Sequence, residues 1–199
     1  MRKLLTAVFI IFICQHAAAQ SDGFSVKAGA NLFVLRSEND KTKNYSHGKV
    51  GFTLGAGYDL KLSKSISIQP EFNYSFQQAS EEYYGSKLTV NYIQVPLLFR
   101  YHVNNGPVVF YAGPQVSFLT SAKTTADSVP DADISGNLNQ TDFGIAWGIA
   151  TSPNRKGIFF DIRVYNGLMD VYKAEYDDGI KTRPLLVSAC IGYLFHKKK

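Results

Sequence analysis

Charge, cysteine and helical periodicity are all scarce in this chain, and each shortage removes a class of protein. Charged residues fill only 19% of the 199 positions while 45% are hydrophobic, so the chain can bury a large apolar surface and is not intrinsically disordered. The net charge of +5 is matched by Arg2, Lys3 and the terminal Lys197, Lys198 and Lys199 alone. Without those residues no basic face remains to track phosphates, which excludes a nucleic-acid partner. Methionine and tryptophan number 2 and 1, against 14 phenylalanines, 12 tyrosines and 16 glycines. That mixture suits strands and tight turns rather than helices. Past the first twenty residues no segment carries a helical period. The length allows one domain of ordinary size.

The apolar run from Leu4 to Cys14 is too short to cross a bilayer as a helix. Arg2 and Lys3 precede it and Ala17-Ala18-Ala19 follow, the pattern of a secretory signal peptide. Residues 1–19 are therefore expected to be removed and 20–199 to form one domain. Ile11-Phe12-Ile13 lacks the small residue that lipoprotein processing favours, so Cys14 leaves with the signal. Cys190 then stands alone in an exported chain, without an internal disulfide, and is expected to pack as a small strand residue.

What the sequence has in abundance is alternation. Val50, Phe52, Leu54, Ala56, Tyr58, Leu60 and Leu62 occupy every second position, and the same period runs from Ile66 to Phe76, Phe143 to Ile149 and Val187 to Phe195. Period two over so many residues predicts strands. Less regular strands over 24–34, 88–103, 108–119 and 157–168 bring the number to eight. In the fourth, Leu88, Val90 and Tyr92 give way to Ile93, Val95, Leu97, Phe99 and Tyr101, a phase slip that predicts a bulge near Asn91 to Gln94.

The connections alternate too. Ser63–Ser65, Asn104–Pro107 and Ser152–Lys156 are short, whereas 35–48, 79–87, 120–141 and 169–182 are long and polar. Short turns at one end and long loops at the other predict an all-β, eight-stranded antiparallel up-and-down transmembrane barrel, with turns and termini in the periplasm and loops outside the cell. A soluble lipocalin-like carrier would alternate as well, with its apolar face inward. Its water-facing side would then hold Gly144, Ala146, Gly148 and Ala150, which suit a narrow lumen better. The aromatics also form two girdles: Phe99, Tyr101, Phe110, Tyr193 and Phe195 toward the turns, and Phe52, Tyr74, Phe76, Phe118 and Phe143 toward the loops. Pro70, Pro96 and Pro114 count against strands, because each removes a ladder donor and a closed barrel has no edge to hide it.

The segment Tyr92-Ile93-Gln94-Val95-Pro96-Leu97-Leu98-Phe99-Arg100-Tyr101 resembles the Y-[IL]-x-[IV]-P-L-L-x-[KR]-Y stretch of the PorT-like outer-membrane β-barrel family. Tyr111-Ala112-Gly113-Pro114, Asp142-Phe143-Gly144 and Asp161-Ile162-Arg163-Val164-Tyr165-Asn166-Gly167-Leu168 resemble its A-G-P, D-F-G and R-Y-x-x-G-L segments. The resemblance implies an eight-stranded barrel in the cell outer membrane of Bacteroidetes-type bacteria. The namesake acts in secretion of proteins to the cell surface, a role that fold alone does not transfer. Tyr193-Leu194-Phe195 is the aromatic pair expected of an assembly signal for the barrel-insertion machinery.

Chemistry-bearing residues are few. Lys27, Asp59, Lys61, Glu71, Arg100, His102, Asp161 and Arg163 are expected to face the lumen. Counted from the turn end, Glu71 matches Arg163 in depth and Arg100 matches Asp161, so these four are expected to form a neutralising network. Ser46-His47, with Glu38 and Asp40 nearby, is the weak candidate for nucleophilic catalysis. Asp127, Asp131 and Asp133 lack calcium-loop spacing, and Asp170, Glu175, Asp177 and Asp178 read as solvated, so no metal or other cofactor is expected. Asp127-Ser128-Val129 resembles an O-glycosylation acceptor, with Ser128 as the modified residue. The expectation is a barrel with a side-chain-filled lumen rather than an enzyme, in contact with outer-membrane lipids and working through an envelope or extracellular protein partner. A narrow ion or small-solute channel is the alternative, ahead of a barrel enzyme.

Overall fold

The computed structural model describes residues 23–38, 43–81, 86–103, 107–126, 129–153, 157–173 and 181–196. The signal segment 1–19, Cys14, Asp40, Asp127, Ser128, Glu175, Asp177, Asp178 and the terminal lysines lie outside them. The strands are β1 (Gly23–Glu38), β2 (Lys43–Tyr45), β3 (His47–Lys61), β4 (Ile66–Glu81), β5 (Ser86–His102), β6 (Val108–Ala126), β7 (Val129–Asp133), β8 (Thr141–Thr151), β9 (Ile158–Gly167) and β10 (Lys181–His196). Eight of these pair in the ring β1-β3-β4-β5-β6-β8-β9-β10, every neighbour antiparallel, and β10 returns to β1 from Gly23↔His196 to Glu38↔Lys181. The short β2 and β7 pair at the loop end of β1 and β6. The all-β, eight-stranded antiparallel barrel expected from the alternation is the fold observed.

The barrel is apolar outside and polar within. Phe72, Phe99, Phe160 and Ile162 on the outer wall are each more than half exposed, whereas Ser67, Asn73, Ser75 and Gln115 inside are almost wholly buried. Toward the loop end the lumen changes character: Phe33, Leu35, Leu88, Val90, Leu119 and Leu186 pack there with Leu138 and Val171 from the connecting segments. Those segments pair with each other through Leu138 and Tyr172, while the Asn139 amide donates to the Val171 carbonyl at 2.8 Å. An apolar stopper thus fills the loop end of the lumen.

This change explains a misplaced expectation. β5 does not slip in phase, because Leu88, Val90, Tyr92, Gln94, Pro96, Leu98 and Arg100 all face inward in unbroken alternation. Hydrophobicity moves from its outer to its inner face as the strand leaves the polar part of the lumen. The irregularity expected near Asn91 to Gln94 does occur, between Asn91 and Tyr92, but the extra residue is Thr120 on β6. Several strands also run further than expected, with β4 reaching Glu81, β6 reaching Ala126 and β10 starting at Lys181. Ladder hydrogen bonding continues beyond the stretch in which the side chains alternate in polarity.

The three prolines are accommodated by paired gaps. Tyr58/Pro70 and Asp59/Gln69 are missing from the β3–β4 ladder, Glu71/Pro96 and Phe72/Val95 from β4–β5, and Leu97/Pro114 and Leu98/Gly113 from β5–β6. Register is the same on both sides of each gap, so a proline costs local ladder bonds without displacing a side chain. At the last gap the Leu97 carbonyl oxygen lies 1.9 Å from where a Cβ on Gly113 would stand. This close approach accounts for glycine before Pro114. Gly113→Ala should therefore lower the fraction of barrel that shows a heat-dependent shift on a gel. Gly136→Ala, whose Cβ would meet nothing within 4 Å, should leave that fraction unchanged.

Candidate functional site: the charged brace across the lumen

The middle of the lumen is occupied by side chains from walls that face one another. In the eight-membered ring β4 and β9 are four places apart, so Glu71 and Arg163 start from opposite sides. They meet in a two-pronged ion pair: Arg163 Nη1 donates to Glu71 Oε2 at 2.7 Å and Nη2 to Oε1 at 3.0 Å. Strands β1 and β6 each lie halfway between them, and both contribute. Lys27 Nζ, from β1, is 3.0 Å from Glu71 Oε2 and 3.6 Å from Asp161 Oδ1. The Tyr111 hydroxyl, from β6, donates to Asp161 Oδ2 at 2.8 Å and receives Arg163 Nε at 3.3 Å. The Arg163 guanidinium also lies 5.1 Å from the centre of the Tyr111 ring.

Two cations and two carboxylates therefore neutralise one another in a cross-brace tied to all four quarters of the wall. Gln69 Nε2 and Asn73 Nδ2 each donate to Glu71 at 3.1 Å, so this carboxylate has both its oxygens engaged. A buried carboxylate needs such satisfaction, because its desolvation is repaid only by close cations and good donors. Above the brace lies a polar layer in which Asn31 Nδ2 donates to Thr53 Oγ1 at 2.9 Å and to Ser75 Oγ at 3.2 Å. The void between the two levels has a volume of about 10 Å³, room for about one water molecule.

The expected partnership of Arg100 with Asp161 is not formed. Arg100 Nη1 donates to Asp59 Oδ2 at 3.3 Å and also to Gln69 Oε1. Asp161 belongs instead to Lys27, Tyr111 and Arg163. Depth counted along each strand ignores the tilt of the wall, and Asp59 on β3 is only two strands from Arg100 on β5. Gln69 links the two groups, giving one amide to Glu71 and accepting from Arg100 with its carbonyl. The bridging part of Tyr111 was legible only as inward parity within the A-G-P segment, and that of Gln69 only as inward parity on β4.

Other sequence candidates are dispersed. Ser46 Oγ accepts the Leu35 amide at 2.8 Å, holding the β1–β3 connection, while His47 next to it is exposed. A Ser–His contact among the described residues is Ser67 Oγ with His102 Nε2 at 3.1 Å, and Ser67 is fully buried. Asp133 accepts the Ser135 amide at 2.8 Å, a turn interaction. Among the described residues no group of three histidine, cysteine or acidic side chains is placed to hold a metal ion. The D-F-G and R-Y-x-x-G-L segments meet where the Tyr165 hydroxyl donates to Asp142, whose other oxygen accepts the Met169 amide at 3.3 Å. Cys190 is free and buried, opposite Asp161 in the β9–β10 register. At the turn end Tyr193 and Phe195 point outward, their ring centres 4.8 Å apart, and Phe24 lies 6.0 Å from Phe195.

A sequence profile described as outer membrane protein beta-barrel domain matches residues 18–173. The chain belongs to this family. Membership implies an outer-membrane location for this barrel. The fold is also similar to solved outer-membrane structures. Neisserial surface protein A aligns over 86% of this chain and 97% of its own, with 13% identity and a TM-score of 0.55. Ail, the attachment invasion locus protein of Yersinia pestis, aligns over 88% of this chain and 100% of its own, with 14% identity and a TM-score of 0.52. A major outer membrane protein of Thermus thermophilus does so over 88% and 100%, with 11% identity and a TM-score of 0.50. Among curated proteins none matches this chain by sequence.

Breaking a buried ion pair from one side costs about 3–5 kcal/mol because the remaining charge loses its partner. Arg163→Ala and Glu71→Ala should each destabilise the family barrel on that scale in urea unfolding from detergent micelles. The double variant should lose less than the sum of the two. Arg100→Ala should couple in the same way with Asp59→Ala and show no coupling with Asp161→Ala.

Proposed function

We propose that this barrel is a closed, non-conducting outer-membrane module that works through its loop end, engaging an envelope or extracellular protein partner. One observation carries the reading: Glu71 and Arg163 meet across the full width of the lumen, with Lys27 and Tyr111 closing the remaining quarters. The apolar stopper formed with Leu138 and Val171 supports it by filling the lumen a second time. A solute would have to displace both layers, and displacing the first would leave buried charges unpaired.

In this reading the long loops face the cell exterior and the turns face the periplasm, after export directed by residues 1–19. Tyr193 and Phe195 stand in the turn-end girdle on the last strand, where the insertion machinery would read them. The PorT-like resemblance adds a link to protein secretion or surface assembly, carried by Tyr92 to Tyr101 and by the A-G-P and D-F-G segments.

Wild-type barrel in a planar bilayer should show no steady conductance. A steady open-channel current would replace this reading with that of a narrow channel. Cross-linking in intact cells should capture an envelope or extracellular protein, and exchanging residues 82–85, between β4 and β5, for a Gly-Ser linker should reduce that capture while the barrel still folds. Capture unaffected by exchange of any of the loops would sink the loop-end assignment. Phe195→Asp should lower the yield of barrel in the outer membrane, whereas Lys198→Ala should not. Equal yields would remove the assembly role from this end of the chain.

A further inference from the structure

On the outer wall of the β1–β10 seam the outward side chains are apolar from Phe24 to Val34 on β1 and from Phe195 to Leu185 on β10. Ten residues of tilted strand rise about 25 Å, the height of the apolar band of an outer-membrane barrel. The next outward pair is Arg36 and Arg183, directly opposite each other in the register and both half-buried. They therefore stand where lipid headgroups begin.

Two like charges directly opposite across a ladder destabilise it unless something neutralises them. Two places further along the register Glu38 is opposite Lys181. Among the residues whose side chains are described, neither guanidinium has an ion-pair partner, and Arg183 Nε is buried with no hydrogen-bond acceptor. Directly below them lie Val34 and Leu185, then Leu32 and Val187 with about two-fifths of their surface exposed. Two planar donor groups set over an apolar track match a phosphate joined to acyl chains, since guanidinium binds phosphate with two parallel hydrogen bonds.

We propose that Arg36 and Arg183 together clamp the phosphate of a membrane lipid whose acyl chains lie along the β1–β10 seam. The apolar track favours a lipid over free phosphate, which would gain nothing from Val34 and Leu185. The site depends on the barrel's standing in a bilayer, and on neither the closed lumen nor the loop-end partner.

Native mass spectrometry of the folded barrel in non-ionic detergent tests this, with phosphatidylglycerol, diacylglycerol of the same acyl chains and inorganic phosphate as probes. Wild type should retain phosphatidylglycerol in preference to diacylglycerol, and inorganic phosphate at equal concentration should not displace it. Arg36→Gln and Arg183→Gln should each weaken retention by roughly tenfold, the loss of one charge-assisted hydrogen-bonding group. Lys123→Gln, an exposed charge on β6 away from the seam, should leave retention unchanged. In lipid-free micelles either arginine substitution should raise the unfolding midpoint by relieving the like-charge contact, which separates loss of the site from loss of the fold. Equal retention of the two lipids, retention unaffected by both arginine substitutions, displacement by inorganic phosphate, or lowered midpoints in both variants would each overturn the proposal.

Discussion

Within the apolar core of a bilayer no water is available to a peptide group, so the chain must satisfy its own backbone hydrogen bonds. Everything else in this barrel follows from that. The sheet has to close, and it does so through the sixteen-pair seam between β1 and β10. Closure is kept although prolines stand in three consecutive strands. Pro70, Pro96 and Pro114 each interrupt one ladder, and the register resumes unchanged on the far side, so the ring is never opened. Gly113 belongs to the same arrangement, since the strands come too close there for a side chain.

An eight-stranded ring leaves a lumen that side chains from opposite walls can bridge. Long charged residues placed inside it must find partners, and the narrowness of the ring supplies them. Glu71 and Arg163 reach each other from β4 and β9, and Lys27 and Asp161 complete an electrically neutral set. Both Glu71 oxygens are engaged by cations and amides, the condition under which a buried carboxylate stays charged at tolerable cost. Toward the loop end the rule inverts. Where Leu138 and Val171 fold into the lumen it fills with apolar side chains and resembles the core of a soluble sheet protein. The two layers close the tube by different physics, one by paired charge and one by hydrophobic packing.

The outer wall was the most legible part of the chain. A strand half-buried in lipid alternates strictly, and the runs from Val50 to Leu62 and Ile66 to Phe76 announce their outward face without reference to any other strand. The lumen was legible as a set of residues and only partly as a set of contacts. Glu71 and Arg163 were paired by depth and meet, whereas Arg100 was assigned to Asp161 and is bound to Asp59. The inward turn of Leu88, Val90 and Tyr92 looked like a slip in β5, because a sequence shows where hydrophobicity changes face without showing that the lumen itself has changed from polar to apolar.

The sequence by itself determined the strands, the face each turns to lipid, the even number that brings the chain back to its start, and the inventory of charges to be housed inside. These are properties of one strand at a time, set by a side-chain period of two. Only the tertiary structure decided which charge meets which, where the bulge on β6 falls, that Ser67 touches His102, and that Arg36 faces Arg183 across the closing seam. Those contacts join residues on different strands, and tilt and register of the closed ring set their heights together. No stretch of sequence read alone contains that geometry.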